Sequence, residues 1–199
     1  GKECIVLTGI STWPGEEQTL LDSIKRLRGE GIDARLLIIP RHAERREEIR
    51  KALASSSLNF CLRTERANAP DGTIVYLADT TGELPDLIKC ADFAFLGKTI
   101  PPNSGGQNPI EPVSIGLPLI IGPAYQNFRE TCSELFSHGA AFKAGEKKDI
   151  EDLICEFARN EEKRAQAREA CFSWIQKQGS PTEMTLKLLY GYLSEEQSP

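Results

Sequence analysis

The regular alternation of short apolar runs with amphipathic segments is the feature that most limits how this chain can fold. The runs are rich in Ile, Val and Leu and have the length of β-strands; the predicted strands are Cys4–Thr8, Arg35–Ile39, Asn59–Leu62, Thr73–Leu77, Phe93–Leu96 and Leu119–Ile121. Strands that are apolar on both faces are typical of a parallel sheet with helices on each side. The pattern therefore predicts an α/β fold with a Rossmann-like, doubly wound parallel sheet of about six strands.

Apolar residues at helical spacing fill most of the segments between these strands. Helices are predicted over Glu16–Arg28, Arg45–Leu53 and Glu83–Cys90, from Pro109, from about Asp149 onward and, after a break at 179–181, up to about Leu193. A chain of 199 residues has the length of one domain. We therefore expect residues 1–199 to form a single Rossmann-like domain with C-terminal helices from about residue 149.

Charge and cysteine spacing argue against several classes of function. The net charge of -5 and the pI near 5.3 do not suit a nucleic-acid face, which needs clustered Lys and Arg. The basic run Arg41–Arg50 contains interleaved glutamates, so most of it is predicted to be a solvated helix face. No two cysteines have C-x-x-C spacing, so we expect no metal site and predict buried free thiols in a reducing cytoplasm. No apolar run reaches the roughly 20 residues that cross a bilayer.

Polar and glycine-rich loops follow most of the predicted strands. In a doubly wound sheet, ligands bind in the crevice at the carboxyl ends of the strands, so these loops are predicted to share one ligand rim. The candidate binding residues in them are Ser11, Thr12, Arg41, His42, Thr81, Gly82, Glu83, Gly105, Gly106, Gln107, Asn108, Glu111 and Asn127. For each loop a purely structural role, such as a helix cap or a tight turn, is the alternative.

The loop Ser104–Pro112 carries the strongest local signal. Its two adjacent glycines allow the backbone to approach a ligand closely, and Asn108 is predicted to cap a helix that begins at Pro109. Exposed amides at a helix start attract a phosphate or carboxylate, and Glu111 is placed to accept hydrogen bonds from ribose hydroxyls. Alternatively, the loop is a plain turn in which Glu111 stabilises the helix dipole.

Two common nucleotide-binding signatures are not met. A dinucleotide-binding G-x-G-x-x-G would follow the first strand, but no matching glycine triplet begins at Gly9. The segment Gly97–Thr99 resembles the end of a phosphate-binding P-loop, yet the position of that loop's first glycine holds Asp92. Neither a dinucleotide fingerprint nor a P-loop is therefore predicted.

Taken together, these loops resemble the donor half of a known family, the 3-deoxy-D-manno-octulosonic acid (Kdo) transferases. The resemblance covers roughly residues 4–143 and rests on Gly105–Pro112, Gly116–Pro118, Gly122–Pro123, Asn127–Arg129, Pro40–Arg45, Ser11–Glu17 and Asp79–Leu84. The chain differs from the family at Trp13 and Gln107, where histidine is common, and at Lys98, where a small residue is usual.

The resemblance implies one half of a GT-B fold, in which two Rossmann-like domains face each other across the active site. It implies that this half binds CMP-Kdo without a cofactor or metal, and that the whole enzyme transfers Kdo to lipid A precursor in lipopolysaccharide synthesis. That reaction takes place at the cytoplasmic face of the bacterial inner membrane. The acceptor site, the membrane contact and an acidic general base are implied for the other half. This chain alone is therefore expected to bind CMP weakly and to transfer nothing.

Carried over by position, the family's donor contacts fall on Arg41, Gly82 and Glu83 for the nucleotide, Asn108 and Glu111 for phosphate and ribose, and Ser11 and Thr12 for the phosphate–sugar portion. Two alternatives stay open. One is the donor half of another GT-B glycosyltransferase that uses a UDP-sugar. The other is a non-catalytic Rossmann-like module that binds a partner or a regulatory nucleotide.

Overall fold

Seven parallel strands form one sheet in the computed structural model, which describes residues 4–179, 185, 186, 189 and 190. The strands lie in the order β3-β4-β2-β1-β5-β6-β7, and each neighbouring pair is parallel. Their bounds are β1 (Ile5–Thr12), β2 (Ala34–Pro40), β3 (Phe60–Leu62), β4 (Val75–Leu77), β5 (Phe93–Leu96), β6 (Leu119–Ile121) and β7 (Ala141–Lys143). The predicted doubly wound parallel sheet is confirmed, with one strand more than expected.

Helices cover both faces of the sheet. They are α1 (Glu16–Gly29), α2 (Arg46–Ser55), α3 (Leu84–Leu87), α4 (Ile110–Ser114), α5 (Arg129–His138), α6 (Lys147–Arg159) and α7 (Glu161–Gln178), with short 3₁₀ turns at Ala43–Arg45, Ile88–Cys90 and Gln126–Phe128. One core cluster packs α1, α2 and α6 against one face of the sheet. A second cluster packs α4, α5 and α7 against the other face, so the central strands are buried on both sides.

The sequence pattern does not predict β7 or α5. β7 spans three residues, Ala141–Lys143, and pairs only with β6, so it has too few apolar side chains to produce a strand signal. In α5 only Cys132 and Leu135 are buried, and a single buried turn does not generate a repeating apolar stripe. Both elements therefore depend on contacts with parts of the fold that are distant in sequence, which a local pattern does not report.

β1 continues to Thr12, beyond its predicted end at Thr8. Gly9 and Ile10 pair with both β2 and β5, so the neighbouring strands hold them extended although Gly9 locally resembles a strand end. The register with β2 shifts between Ile10 and Thr12, and the intervening Ser11 has a φ of 51°. This bulge turns the chain at the carboxyl edge of the sheet, where the ligand rim is predicted.

The C-terminal helices are close to their predicted positions. α6 begins at Lys147 with Glu146 as its cap, and α7 ends where Gly179 begins the predicted break. Residues 180 and 181, and most of the predicted last helix up to Leu193, lie outside the described residues. Within the described part of the chain, no helix combines the length and apolar character needed to cross a membrane.

The cysteines are free thiols, and the prediction of burial is confirmed for four of them: Cys61, Cys132, Cys155 and Cys171. Burial raises the pKa of Cys132 to about 11 and that of Cys171 to about 12. Cys90 is exposed at the end of a 3₁₀ turn. The buried thiols therefore act as small core side chains.

Candidate functional site

The candidate ligand crevice lies between β1 and β5 at the carboxyl edge of the sheet. β1 connects to β2 on one side and has β5 on the other, so the chain leaves these central strands in opposite directions, which is the usual position of a ligand crevice. Gly97 directly follows β5, and a Cβ built on it would lie 2.1 Å from the carbonyl oxygen of Ser11. Glycine is therefore required for the two strand ends to come this close.

Some of the predicted binding residues line one cleft beside this crevice. The cleft has a volume of about 140 Å³, and the candidates in it are Ser11, Arg41, Thr81, Gly82 and Glu83. Ser11 lies at the carboxyl end of β1, and the others come from the loops after β2 and β4, which are neighbours of β1 in the sheet. Arg41 is exposed and forms no ion pair among the described residues, so its guanidinium is available to an anion.

Glu83 belongs to the frame of this cleft. Its carboxylate accepts hydrogen bonds from Arg63, whose Nη2 lies 2.6 Å from Oε1, and from the hydroxyl of Thr80. These bonds with Arg63 and Thr80 hold the pKa of Glu83 at about 2, well below its usual range. The carboxylate is therefore ionised and occupied, and it fixes the loop that presents Thr81 and Gly82. Arg63 is not among the residues predicted from sequence, because no local pattern connects it with a carboxylate 20 residues away.

Thr12 lies beneath the crevice, and its hydroxyl is engaged within the protein. It donates to Oε1 of Glu17 at 2.8 Å, and Glu17 pairs with Arg45 at 2.8 Å. The Arg45 and Glu17 side chains are only 10% and 5% exposed. The prediction of a solvated face is therefore wrong at Arg45, because the carboxylate on α1 holds its guanidinium inside the protein.

His42 is not among the residues that line the cleft. Its ring lies edge-on to the ring of Trp13, with the centroids 5.3 Å apart and an interplanar angle of 79°. Its Nδ1 is 3.2 Å from Oε1 of Glu44. His42 therefore reaches the predicted rim through its contact with Trp13, which follows β1.

The glycine-rich loop after β5 is held against the loop after β6. The Gly106 N–H donates to the carbonyl of Lys98 at 3.0 Å, and the Asn127 N–H donates to the carbonyl of Gly105 at 2.9 Å. Gly105 and Gly106 have φ values of 105° and 77°, and a Cβ on Gly105 would lie 2.6 Å from Nδ2 of Asn127. The two loops are thus in close contact, and Asn127 lies next to the predicted ligand loop.

Asn108 contacts the start of α4, because its Oδ1 accepts a hydrogen bond from the Ile110 N–H at 3.0 Å, although the N-cap position itself is held by Pro109. The helix begins at Ile110, one residue after the predicted start at Pro109, and spans only five residues. Its dipole is correspondingly small, so the helix start attracts an anion less than expected. Gln107 and Glu111 are half-buried, and their side chains form no hydrogen bond or ion pair with the rest of the described chain, which leaves both free for a ligand.

Glu16 joins the two sides of the crevice, although the sequence identifies it only as a first-turn residue of α1. Its fully buried carboxylate accepts hydrogen bonds from the backbone N–H groups of Trp13, Lys98, Thr99 and Ile100 at distances of 2.9–3.1 Å. Burial raises the pKa of Glu16, and these N–H donors oppose the rise. Three of the donors lie 82–84 residues away, which is why no local pattern predicts the role.

Two cations at the crevice have no carboxylate partner. Arg41 follows β2 and Lys98 follows β5, and neither forms an ion pair with another described residue. Unpaired cations beside open backbone amides suit an anionic ligand such as a phosphate. Among residues 4–179, no group of three or more His, Cys, Asp and Glu side chains is arranged to hold a metal ion.

The sequence of this chain is similar to those of known glycosyltransferases. Residues 17–174 match the family model described as glycosyl transferases group 1. A 3-deoxy-D-manno-octulosonic acid transferase of Bordetella pertussis is 30% identical over 197 residues, which cover 97% of this chain and 45% of that protein. The protein of the same name from Haemophilus influenzae is 28% identical over 92% of this chain and 43% of its own length. The chain therefore spans less than half the length of these relatives.

Two solved structures have folds similar to that of this chain. The C-terminal CMP-Kdo binding domain of WaaA from Acinetobacter baumannii superimposes with a TM-score of 0.82 and 26% identity, covering 88% of this chain and 91% of that one. Anabaena HepE in complex with UDP and glucose has a TM-score of 0.59 and 16% identity over 96% of this chain and 49% of that one. At that identity, the second likeness shows the fold alone.

Proposed function

Because the chain belongs to the group 1 glycosyltransferases, we propose that it is the donor-binding half of a Kdo transferase and holds CMP-Kdo at the crevice between β1 and β5. The main observation in support is that several loops at this crevice present cations and hydrogen-bonding side chains that have no partner among the described residues. The likeness to the CMP-Kdo binding domain of WaaA over 88% of the chain supports the identity of the donor. In this proposal residues 1–199 form one Rossmann-like domain.

The proposed nucleotide position is the cleft lined by Ser11, Arg41, Thr81 and Gly82. Arg41 supplies a free guanidinium for the phosphate, because it is exposed and has no ion pair among the described residues. Glu111 supplies a free carboxylate for the ribose hydroxyls. Gly105 and Gly106 let the loop after β5 approach the sugar, since their backbone has no Cβ to exclude it.

The remaining candidates support these contacts in the proposal. Thr12 and Glu83 fix the loops from beneath, since both side chains already have protein partners. Asn108 accepts a hydrogen bond from the first residue of α4 and is proposed to position Glu111 in this way. Gln107, Asn127 and His42 lie around the rim and are proposed to contact the donor as it fills the crevice.

In the proposed reaction, the bond between the Kdo anomeric carbon and the phosphate oxygen of CMP breaks while an acceptor hydroxyl attacks the same carbon. Negative charge grows on the departing phosphate, so donors placed around that oxygen beforehand stabilise the transition state more than the ground state. The general base that takes the acceptor proton is assigned to the half that this chain does not include. We propose that the transfer uses neither a cofactor nor a metal ion.

The acceptor in this proposal is lipid A precursor, bound through the other half of the enzyme at the cytoplasmic face of the bacterial inner membrane. The transferase names of relatives that are more than twice as long as the match support the transferred sugar. The acceptor and the membrane face are proposed from the family resemblance. The chain alone is therefore expected to bind donor and to transfer nothing. Kdo transfer by this chain alone, measured with CMP-Kdo and lipid A precursor, would contradict that division of labour.

Nucleotide titration of the chain tests the donor assignment. We expect isothermal titration calorimetry to give tighter binding for CMP than for UMP or UDP, and tighter binding still for CMP-Kdo. A preference for UDP would identify the donor as a UDP-sugar. Binding of none of these nucleotides would reject the proposed function.

A matched pair of glutamate variants tests the position of the site. Glu111→Ala removes the free carboxylate in the first turn of α4 and is expected to weaken CMP binding about tenfold, since a hydrogen bond to a charged group contributes about 1.5–3 kcal/mol. The control is Glu161→Ala, an exposed glutamate in the first turn of α7, which begins beside His138 and Gly139 at the end of α5. Equal affinities in the two variants would move the nucleotide away from Glu111 and favour a non-catalytic module.

A further inference from the structure

Lys98 has a strained backbone at the centre of the crevice. It follows Gly97 at the end of β5 and has a φ of 61°, in the left-handed region that favours glycine. Its N–H donates to Glu16 Oε2 at 2.9 Å, and its carbonyl accepts from Gly106 at 3.0 Å. The backbone is therefore fixed from both sides, and a lysine stands where glycine would cost less. Such strain at a site indicates that the side chain has a use there.

The Lys98 side chain turns back across the mouth of the crevice. Its Nζ lies 4.6 Å from the centroid of the Trp13 ring, and the same ring contacts His42 at 5.3 Å between centroids. A cation over an indole face is stabilised by the ring quadrupole, which compensates in part for lost hydration. The Lys98 side chain thus reaches from the loop after β5 to Trp13, which follows β1.

This cluster contains hydrogen-bond donors that lack acceptors. Lys98 is half-buried, and no carboxylate of the described residues lies within ion-pair distance of its ammonium. The indole Nε1 of Trp13 is buried and also has no partner in the described part of the chain. The nearby carboxylate of Glu16 is occupied by backbone N–H groups. An ammonium that is partly desolvated and unpaired is stabilised by an incoming anion.

We propose that Lys98 is a donor-binding residue whose ammonium, held over Trp13, binds an anionic oxygen where the phosphate joins the sugar. This inference rests on the proposed function. CMP-Kdo has two anionic groups at that junction, the phosphate and the carboxylate of the acid sugar. An ammonium is a compact point charge and binds either group.

Titration of this chain with cytidine, CMP and CMP-Kdo distinguishes the two sources of charge. We expect Lys98→Met to weaken CMP-Kdo binding about tenfold or more, and Lys98→Arg to retain most of the affinity. If the partner is the carboxylate, CMP binding stays unchanged in Lys98→Met. If the partner is the phosphate, CMP and CMP-Kdo weaken equally while cytidine binding stays the same.

The matched control is Lys143→Met. Lys143 ends β7, the edge strand two places from β5, and its ammonium lies 5.6 Å from the Tyr125 ring centroid. This variant is expected to leave the affinity for all three ligands unchanged. If Lys143→Met weakened CMP-Kdo binding as much as Lys98→Met, the effect of Lys98 would be general electrostatic attraction, and the proposal would be overturned.

Lys98→Gly separates a binding role from a structural one. Glycine relieves the left-handed strain, so the midpoint of thermal unfolding is expected to rise or stay constant while CMP-Kdo affinity falls. Unchanged CMP-Kdo affinity in Lys98→Met and Lys98→Gly would overturn the assignment and leave the proposed function intact. Weakened cytidine binding would also overturn it, by showing that the loop had moved. If the unaltered chain bound none of the three ligands, the proposed function itself would fail.

Discussion

The two sides of the crevice are built by different means. On the charged side, formed by the loops after β2 and β4, side chains hold each other in ion pairs such as Arg45–Glu17 and Arg63–Glu83. On the glycine side, formed by the loops after β5 and β6, backbone hydrogen bonds hold the loops and glycines allow their close contact. Many polar side chains of the charged side are therefore paired with other protein groups. On the glycine side, Lys98, Gln107 and Glu111 have no such partner.

The chemical type of a residue at the crevice does not by itself show its role. Glu83 and Thr12 have the chemistry of ligand contacts, yet their polar atoms are occupied by Arg63 and Glu17. Lys98 lies in a glycine-rich loop and has no such partner among the described residues. We therefore expect ligand contacts at the rim to come from polar groups that are free of protein partners.

The largest expected effect comes from the residue that joins the two sides, Glu16. Glu16→Ala removes the acceptor of four backbone N–H groups, including those of Lys98 and Thr99. Buried donors without partners are costly, so we expect the free energy of unfolding in urea to fall by about 3 kcal/mol. CMP binding should weaken in parallel, because the β5 loop is no longer held to the β1 loop.

Glu47→Ala is the control for this substitution. Glu47 is also a first-turn glutamate, on α2, but it is exposed, so its loss should change the free energy of unfolding by less than about 0.5 kcal/mol. Equal stability of the two variants would show that the Glu16 hydrogen bonds do not hold the crevice together.

Features that depend on neighbouring residues in the sequence are predicted, whereas contacts between residues far apart in the sequence are not. The apolar runs predict strands from β1 to β6, since each run reports its own burial locally. The rule that ligand loops lie at the carboxyl ends of strands brings Ser11, Arg41 and Gly82 to one cleft. The ion pair Arg63–Glu83 and the contacts of Glu16 depend on loops that meet only after the sheet forms, so local patterns do not contain them.

β1 illustrates the same limit within a strand. Gly9 and Ser11 have low β-propensity, so the sequence predicts a strand end at Thr8. Pairing with β2 and β5 overrides this preference and carries the strand to Thr12. The bulge at Ser11, which directs the chain toward the crevice, is a consequence of that pairing and has no separate signal in the sequence.

An intermediate effect is expected on the glycine side, from Gly105→Ala. The new Cβ would lie 2.6 Å from Nδ2 of Asn127, and the φ of 105° is strained for alanine. We expect a loss of about 1–2 kcal/mol in the free energy of unfolding, together with weaker CMP-Kdo binding. Gly29→Ala is the matched control, because a Cβ there meets nothing within 4 Å and Gly29 ends a helix. If both alanine variants bind CMP-Kdo like the unaltered chain, the loop does not contact the sugar.

The smallest expected effect tests the charged side through pH. The pKa of Glu83 is about 2, below its usual value of 4.5, because Arg63 and Thr80 hydrogen-bond to the ionised carboxylate. A lowered pKa in the folded state means that the unfolded chain takes up the proton first as pH falls. The stability that Glu83 contributes is therefore complete above about pH 4.5 and is lost progressively toward pH 2.

Thermal unfolding of the unaltered chain and of Glu83→Gln between pH 7 and pH 2.5 measures this contribution. The difference in midpoint should be largest at pH 7 and should shrink through the window below pH 4.5, because protonation removes the pair that the substitution removes. Arg63→Met should reproduce the shrinking difference, and high salt should reduce it at pH 7, since the pair is partly exposed. A difference that stays constant with pH would mean that Glu83 supports the cleft through packing and that its ion pair with Arg63 does not hold the charged side together.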